Sequence, residues 1–300
     1  ELGASGPGEI ARLTEIAGPR IGVLTAIGSV HLEGFGSIEG VARAKAELVA
    51  GLGRNGIAVL NADDARVQAI GEATRRGVLW YGTRAGTYGL FARGHDIETA
   101  GELTWFRLDG GRLIKLAAPG RHQVYAALAA IVVGRWMGMA DREIAAGLEN
   151  YRPAAMRCQV DRLGGVTVIN DAYNASPPSM WAALDMLSTW PTTGRRVLVC
   201  GDMLELGRYG PELHRRLGDE IARRASIDCC IAVGPLSAVV VDSARKAGKS
   251  GESIVHCESV EQAAEYLRHN IRAGDVVLLK ASRAMQLERV VAGIPPRSAA

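Results

Sequence analysis

Four apolar runs in the second half of the chain, at 166–169, 196–200, 229–233 and 276–279, alternate with amphipathic stretches near 178–189, 209–225, 236–247 and 259–271. Short buried strands separated by helices of that length dictate a largely parallel sheet, because parallel neighbours need a long crossover and the helix supplies it. About 150 residues are enough for such a doubly wound domain to stand alone. The interruption Tyr151-Arg152-Pro153 precedes the series and sets a domain boundary near residue 153, giving units of 1–152 and 153–300.

The first half also reads as α/β. Gly22-Val23-Leu24-Thr25, Ile57-Ala58-Val59-Leu60 and Val78-Leu79-Trp80-Tyr81 are expected to be buried strands, with a helix over 37–52 between the first two. Residues 103–108 and 112–116, joined by Asp109-Gly110-Gly111, predict an antiparallel hairpin, since Asp-Gly supplies the positive φ that a tight turn needs. An apolar helix over 122–137 follows, then a second over 141–150 with Asp141 as its N-cap. No opening βα unit is evident and the first residue is Glu1, so the expectation is that further sequence precedes this half.

Composition removes several classes of function. Thirty-five basic against thirty-two acidic residues give a net charge of +3, too balanced for a surface that coats nucleic acid. No run of eighteen apolar residues is present to span a membrane as a helix. Cys158, Cys200, Cys229, Cys230 and Cys257 are odd in number, lack Cys-x-x-Cys spacing and sit mostly in apolar runs, as reduced core thiols do; a cytoplasmic location is expected.

Two phosphate-binding patterns are false. Gly51-Leu52-Gly53-Arg54-Asn55-Gly56 fits G-x-G-x-x-G, but a helix precedes it and a strand follows, the reverse of a dinucleotide fingerprint, so it reads as a helix end and turn. Ala247-Gly248-Lys249-Ser250 imitates the end of a P-loop, yet Ser243 stands where glycine is required and the segment closes a helix. No complete P-loop occurs in the sequence.

Other clusters carry more weight. On the helix after Ser37, the residues Ile38, Val41, Lys45, Leu48 and Leu52 form one stripe that is apolar except for Lys45. A snorkelling lysine would account for it. The preceding loop, Ser29-Val30-His31-Leu32-Glu33-Gly34-Phe35-Gly36, lies past the carboxyl end of a strand, where α/β proteins gather ligand groups. A desolvated lysine there has a lowered pKa and reacts as an amine; with carbon dioxide it becomes a carbamate, an oxygen ligand suited to Mg²⁺. In the second half, polar clusters begin at Asn170, Gly201 and Lys280, each directly after a buried run. Turn formation or capping explains Asp171 or Asp202 singly. Three clusters from one parallel sheet converge on one edge, which favours a binding edge.

Together, several segments resemble the Mur ligases: Glu1 to Ile10, His31 to Ser37, Ala44-Lys45-Ala46-Glu47-Leu48, Asn170-Asp171-Ala172-Tyr173-Asn174-Ala175-Ser176 and Gly201-Asp202-Met203-Leu204-Glu205-Leu206-Gly207. The last two resemble the branch of that family that adds D-alanyl-D-alanine. The matching segments run in the family's order over nearly the whole chain.

The resemblance implies a central ATPase-type α/β domain over 1–152, lacking its P-loop start, followed by a Rossmann-like C-terminal domain over 153–300. It implies a cytoplasmic, monomeric enzyme that uses ATP and two Mg²⁺ ions to join D-alanyl-D-alanine to UDP-N-acetylmuramoyl-tripeptide through an acyl phosphate. By position, Glu1, His31 and a carbamylated Lys45 match metal ligands, and His122 with Gln123 match the adenine motif. Arg157 matches an arginine that reaches ATP phosphates; Lys45, His31 and Arg157 are the implied catalytic set. Asp171, Tyr173 and Asn174 match a loop facing nucleotide and dipeptide, while Ser176, Lys280, Ser282 and Arg283 match substrate-side positions. Asp202, Glu205 and His214 belong to the branch's own motif, with Asp202 and Glu205 on its substrate-binding side.

This sequence also departs from the family. Gln123 and Ala126 replace two asparagines of the adenine motif, and Ala126 can neither donate nor accept, so one base contact is expected to be lost or replaced. Ala281 stands where glycine is usual. Without a P-loop, ATP phosphates have no backbone cradle, and the 300 residues alone are expected to be inactive. Two alternatives stay open: a non-catalytic scaffold that keeps the fold, and a sister amide ligase of the same superfamily.

Overall fold

The computed structural model describes residues 1–86 and 88–294. The chain divides into two compact units, Glu1–Thr99 with Leu103–Arg152, and Ala100–Glu102 with the chain from Pro153 on.

Unit 1 runs α1 (Glu9–Ala17), β1 (Ile21–Leu24), α2 (Leu32–Phe35), α3 (Ile38–Ala50), β2 (Ile57–Asn61), α4 (Ala65–Ala73), β3 (Gly77–Gly82), β4 (Leu90–Ala100), β5 (Leu103–Leu108), β6 (Leu113–Leu116), α5 (Gln123–Trp136) and α6 (Asp141–Glu149). One six-stranded sheet follows sequence order from β1 to β6. Strands β1 to β4 pair in parallel, and β5 and β6 form the antiparallel hairpin. Its turn places Gly110 and Gly111 at φ of 90° and 86°, where a Cβ would be strained. Val59, Tyr81, Phe106, Leu128 and Ile131 fill the core between the sheet and α5.

The strands with continuous apolar runs lie where the sequence places them. Helices α1, α2 and α4 and strand β4 have no counterpart in that reading; β4 alternates apolar residues with Arg93, His95 and Glu98, so no apolar run marks it. Asp141 is not an N-cap. Ala140 holds that position, Glu143 accepts the Ala140 N–H at 2.9 Å, and Asp141 instead grips Arg135 at 2.7 and 2.8 Å. Two parallel charge-assisted bonds to a guanidinium outweigh one cap.

Unit 2 runs β7 (Gln159–Leu163), β8 (Val166–Asn170), α7 (Pro177–Ser188), β9 (Arg196–Gly201), α8 (Gly210–Arg223), β10 (Cys229–Val233), α9 (Ser237–Lys246), β11 (Ile254–Cys257), α10 (Val260–Asn270) and β12 (Val276–Lys280). The sheet order is β11-β10-β9-β12-β8-β7; all pairs are parallel except β7 with β8. Inserting β12 between β9 and β8 brings the carboxyl ends of those three strands side by side, which is where the three polar clusters begin. Strands β7 and β11 were not foreseen: β7 is a mostly polar edge strand and β11 is four residues long. All five cysteines are free and buried.

Buried polar side chains lock both ends of this sheet. Asp275, 1% exposed, accepts the Arg195 N–H at 2.8 Å, the Arg195 Nη2 at 2.7 Å and the Arg272 N–H at 3.0 Å. At the other end, buried His214 accepts the Met203 N–H on Nε2 at 3.0 Å and so donates from Nδ1 to the Gly210 carbonyl at 2.7 Å. That pairing requires the neutral ring, and burial lowers the His214 pKa below its ordinary value.

Two outcomes follow. Asp275→Ala orphans two backbone N–H groups and Arg195, so unit 2 loses about 3 kcal/mol, read as faster hydrogen exchange at the amides of β9 and β12. For His214, the unfolded chain takes up a proton near its ordinary value of 6.5 that the folded ring resists. Its contribution is therefore complete above that pH and is lost as pH falls toward the lower folded value. Urea midpoints measured between about pH 5 and 8 show this fall in the wild type, and His214→Gln flattens it.

Candidate functional site

In unit 1, the segment before α1, the loop after β1 and the helix α3 converge near the end of β1. Gly34 approaches the Ser5 backbone so closely that a Cβ would lie 1.9 Å from the Ser5 oxygen. Only glycine permits that approach. Glu47 accepts the N–H groups of Gly8 and Ala11, both at 2.9 Å, and thereby caps α1 from α3. Ser37 caps α3 itself by accepting the Gly40 N–H at 3.1 Å. These ties leave Glu1 and Lys45 on the walls of one cleft of about 560 Å³, together with Thr25 and Leu48. Lys45 thus ends its apolar stripe facing a cleft. Half-buried His31 precedes α2 at a φ of 48°, in the loop that Gly34 holds against Ser5.

Among the described residues, no three His, Cys, Asp or Glu side chains gather closely enough to hold a metal unaided. Mg²⁺ commonly takes one or two carboxylates and completes its shell with water and phosphate. The exposed Glu1 carboxylate, facing a cleft of this volume, fits that sparse mode.

A second set lies past the ends of β2 and β3. Asp63 accepts the Thr83 N–H and hydroxyl, both at 2.7 Å, and the Tyr125 hydroxyl at 3.0 Å. Burial raises the Tyr125 pKa, which keeps its proton available to Asp63. Asn61 donates to the Thr25 carbonyl at 2.7 Å, while Asp64 accepts the Ile27 N–H at 2.8 Å and caps α4. Through Tyr125, the first turn of α5 is tied to this edge. That turn carries Gln123, whose Nε2 is 3.1 Å from His122 Nε2. Ala126 is exposed and offers the base neither donor nor acceptor. The sequence reading missed Asn61, Asp63, Asp64, Thr83 and Tyr125. Asn61-Ala62-Asp63-Asp64 directly after an apolar run was an available signal.

In unit 2, many of the polar residues at the sheet edge serve the loops themselves. Lys280, 3% exposed, lies 2.5 Å from Asp171 and donates to the Asn174 carbonyl at 3.1 Å. Asp171 also accepts the Cys158 N–H at 3.2 Å, and burial pushes the Cys158 thiol pKa up, so this cysteine is no nucleophile. Asn174 Oδ1 accepts the Ala175 N–H at 2.8 Å, and Ser176 is the N-cap of α7. Asp202, expected at the substrate, is 1% exposed and turned to the α9 N-terminus, accepting from Leu236 N at 3.1 Å, Ser237 N at 2.8 Å and Ser237 Oγ at 2.7 Å. Ser282 accepts the Leu204 N–H at 2.9 Å, and Arg283 pairs with Glu288 at 2.8 Å. Ala281 packs on Gly201, where a second Cβ would come within 2.7 Å, so the glycine lies across the sheet instead.

Arg157, Tyr173, Asn174, Glu205 and Arg283 are exposed. The Arg157 guanidinium stacks 4.1 Å above the Tyr173 ring, a cation–π contact, and Tyr173 N–H donates to the Met156 carbonyl at 3.2 Å. Met156 and Cys158 both have left-handed φ, 58° and 54°, so the chain bends sharply on either side of Arg157 and presents it outward. Glu205 projects from a similar bend at φ of 60°.

The Mur ligase middle domain matches residues 1–134, and the Mur ligase glutamate ligase domain matches residues 156–283. The UDP-N-acetylmuramoyl-tripeptide–D-alanyl-D-alanine ligase of Bacillus subtilis strain 168 is 34% identical over 293 residues, covering 97% of this chain and 62% of the relative. The same-named protein of Mycobacterium tuberculosis H37Rv is 36% identical over 312 residues, covering 97% and 61%. Among solved structures, MurF from Acinetobacter baumannii superposes with a TM-score of 0.87 at 26% identity, covering 97% of this chain and 63% of that one. MurF ligase from Thermotoga maritima in complex with ADP gives 0.83 at 30% identity, covering 97% and 65%. The chain spans about three-fifths of the length of the curated relatives it matches. With both domain families and the fold in agreement, the chain belongs to the Mur ligase family and carries its middle and glutamate ligase domains.

Proposed function

We propose that this chain forms the central and C-terminal parts of an ATP-dependent ligase that adds D-alanyl-D-alanine to UDP-N-acetylmuramoyl-tripeptide, acting as a cytoplasmic monomer in peptidoglycan precursor synthesis. The observation that carries the reading is the shared cleft of Glu1 and Lys45 at the end of a parallel strand. It is supported by the relatives of that name, which match 97% of the chain.

The chemistry is two substitutions. A carboxylate oxygen of the tripeptide attacks the γ-phosphorus of ATP and ADP leaves, giving an acyl phosphate. The dipeptide amine then attacks the acyl carbon, inorganic phosphate leaves, and the amine gives up a proton. Such steps need negative charge neutralised rather than a protein nucleophile. Mg²⁺ bound near Glu1, His31 and a carbamylated Lys45 would supply that neutralisation when present. Arg157 supplies a fixed positive charge to nucleotide phosphates, held ready by Tyr173. His122 and Gln123 offer the adenine its donors and acceptors. In unit 2, Asn174, Glu205 and Arg283 are the candidates for meeting the substrates, while Asp171, Ser176, Asp202, Lys280 and Ser282 hold the loops that carry them.

The 300 residues hold no P-loop, so alone they should release no phosphate from Mg-ATP with tripeptide precursor and dipeptide; turnover would contradict this. Fused behind the amino-terminal portion of the Bacillus subtilis relative, they should release phosphate with D-alanyl-D-alanine and not with single amino acids. The reverse preference would favour a sister amide ligase. In the same fusion, Lys45→Ala should lower turnover roughly a hundredfold or more, with partial rescue by short carboxylic acids. Loss without rescue, in a protein that still melts normally, would remove the carbamate role.

A further inference from the structure

In unit 1, α3 and α4 leave an open groove of about 630 Å³ whose lining shares no residue with the Glu1–Lys45 cleft. Its floor is small and apolar: Ala42, Ala46 and Val49 from α3, Ala69, Ile70 and Ala73 from α4. Its rim is basic, formed by Arg43, Arg66, Arg75 and Arg76. Arg66 reaches Glu39 at 3.4 Å, whereas no carboxylate among the described residues lies within ion-pair distance of Arg43, Arg75 or Arg76. A domain of near-balanced charge thus concentrates uncompensated positive charge along one apolar groove.

The order of those arginines constrains what fits. Both helices are crossovers between parallel strands, so they run in the same direction, and the Glu39–Arg66 contact sets their first turns level. Arg66 therefore stands at one end, Arg43 about one turn on, and Arg75 with Arg76 past the end of α4. From Arg66 to Arg75 the helical rise gives about 14 Å. A phosphate headgroup concentrates its charge at one point and would meet only part of this row. A helix with acidic residues spaced over two to three turns meets all of it, while its apolar face covers the alanines.

We propose that the α3–α4 groove docks an acidic amphipathic helix of another protein, the arginine row pairing with carboxylates on either side of an apolar stripe. The mode is a helix laid in a groove, with anchors at i, i+3, i+4 and i+7. An apolar centre with arginines at the rim is the composition that protein interfaces favour, and the charges raise the association rate and select against basic partners.

The test uses the 300-residue chain and a synthetic, fluorescently labelled helical peptide with leucines at i, i+3, i+4 and i+7 flanked by glutamates over three turns. A second peptide of identical composition places its glutamates among the leucine positions. Anisotropy should show the patterned peptide binding at least about tenfold more tightly, weakening with salt. Arg43→Glu combined with Arg75→Glu should remove that preference while leaving the melting temperature unchanged, since both residues are exposed. Ala69→Glu, which puts charge on the floor, should do the same. Equal binding of the two peptides, binding indifferent to these substitutions, or preferential flotation of the chain with phosphatidylglycerol vesicles would each overturn the proposal.

Discussion

Carboxylates that accept backbone N–H groups from loops are the interaction on which the rest of this structure depends. Parallel strands end in loops whose N–H groups have no ladder partner, and short acidic side chains supply one. Glu47 ties the Glu1 segment to α3, Asp63 and Asp64 fix the turns after β1, β2 and β3, Asp171 holds the bend at Arg157, and Asp202 holds α9. Each bond is charge-assisted, and several are shielded from water, so each contributes more than a neutral bond in the same place.

This economy separates two kinds of polar residue that look alike in a sequence. One kind is consumed by the fold: Asp202 has both oxygens occupied, and Lys280 lies almost fully buried against Asp171. The other kind is presented by it. Glu1 and Lys45 face a cleft, and Arg157 is carried outward between two left-handed residues on the ring of Tyr173. Rigid loops allow a few charged groups to be held where negative charge develops, without reorganisation during the reaction.

The legible part of the fold was the set of strands buried on both faces, because continuous apolar runs such as Cys229–Val233 have few other meanings. Among the elements that escaped were β4 and β7, which carry polar residues at a sheet margin and so lack such a run, and α1, whose N-terminus is capped by Glu47 from 36 residues away rather than by a local signal. Asp141 failed for the same reason: an arginine six residues back claimed a side chain that local rules assign to capping. At the candidate site, Lys45 stood out because it violates an apolar stripe. An acid after a strand is equally suited to a ligand or to the next helix, and Asp202 turns to α9, 35 residues on, a choice no local signal shows.

The most direct measurement is mass spectrometry of the nucleotide-linked peptide after incubation of the fused protein with UDP-N-acetylmuramoyl-tripeptide, D-alanyl-D-alanine and Mg-ATP. The account predicts a product heavier by both alanine residues, formed in equal amount with ADP. ATP consumed without any heavier peptide, or a product extended by a single residue, would contradict it.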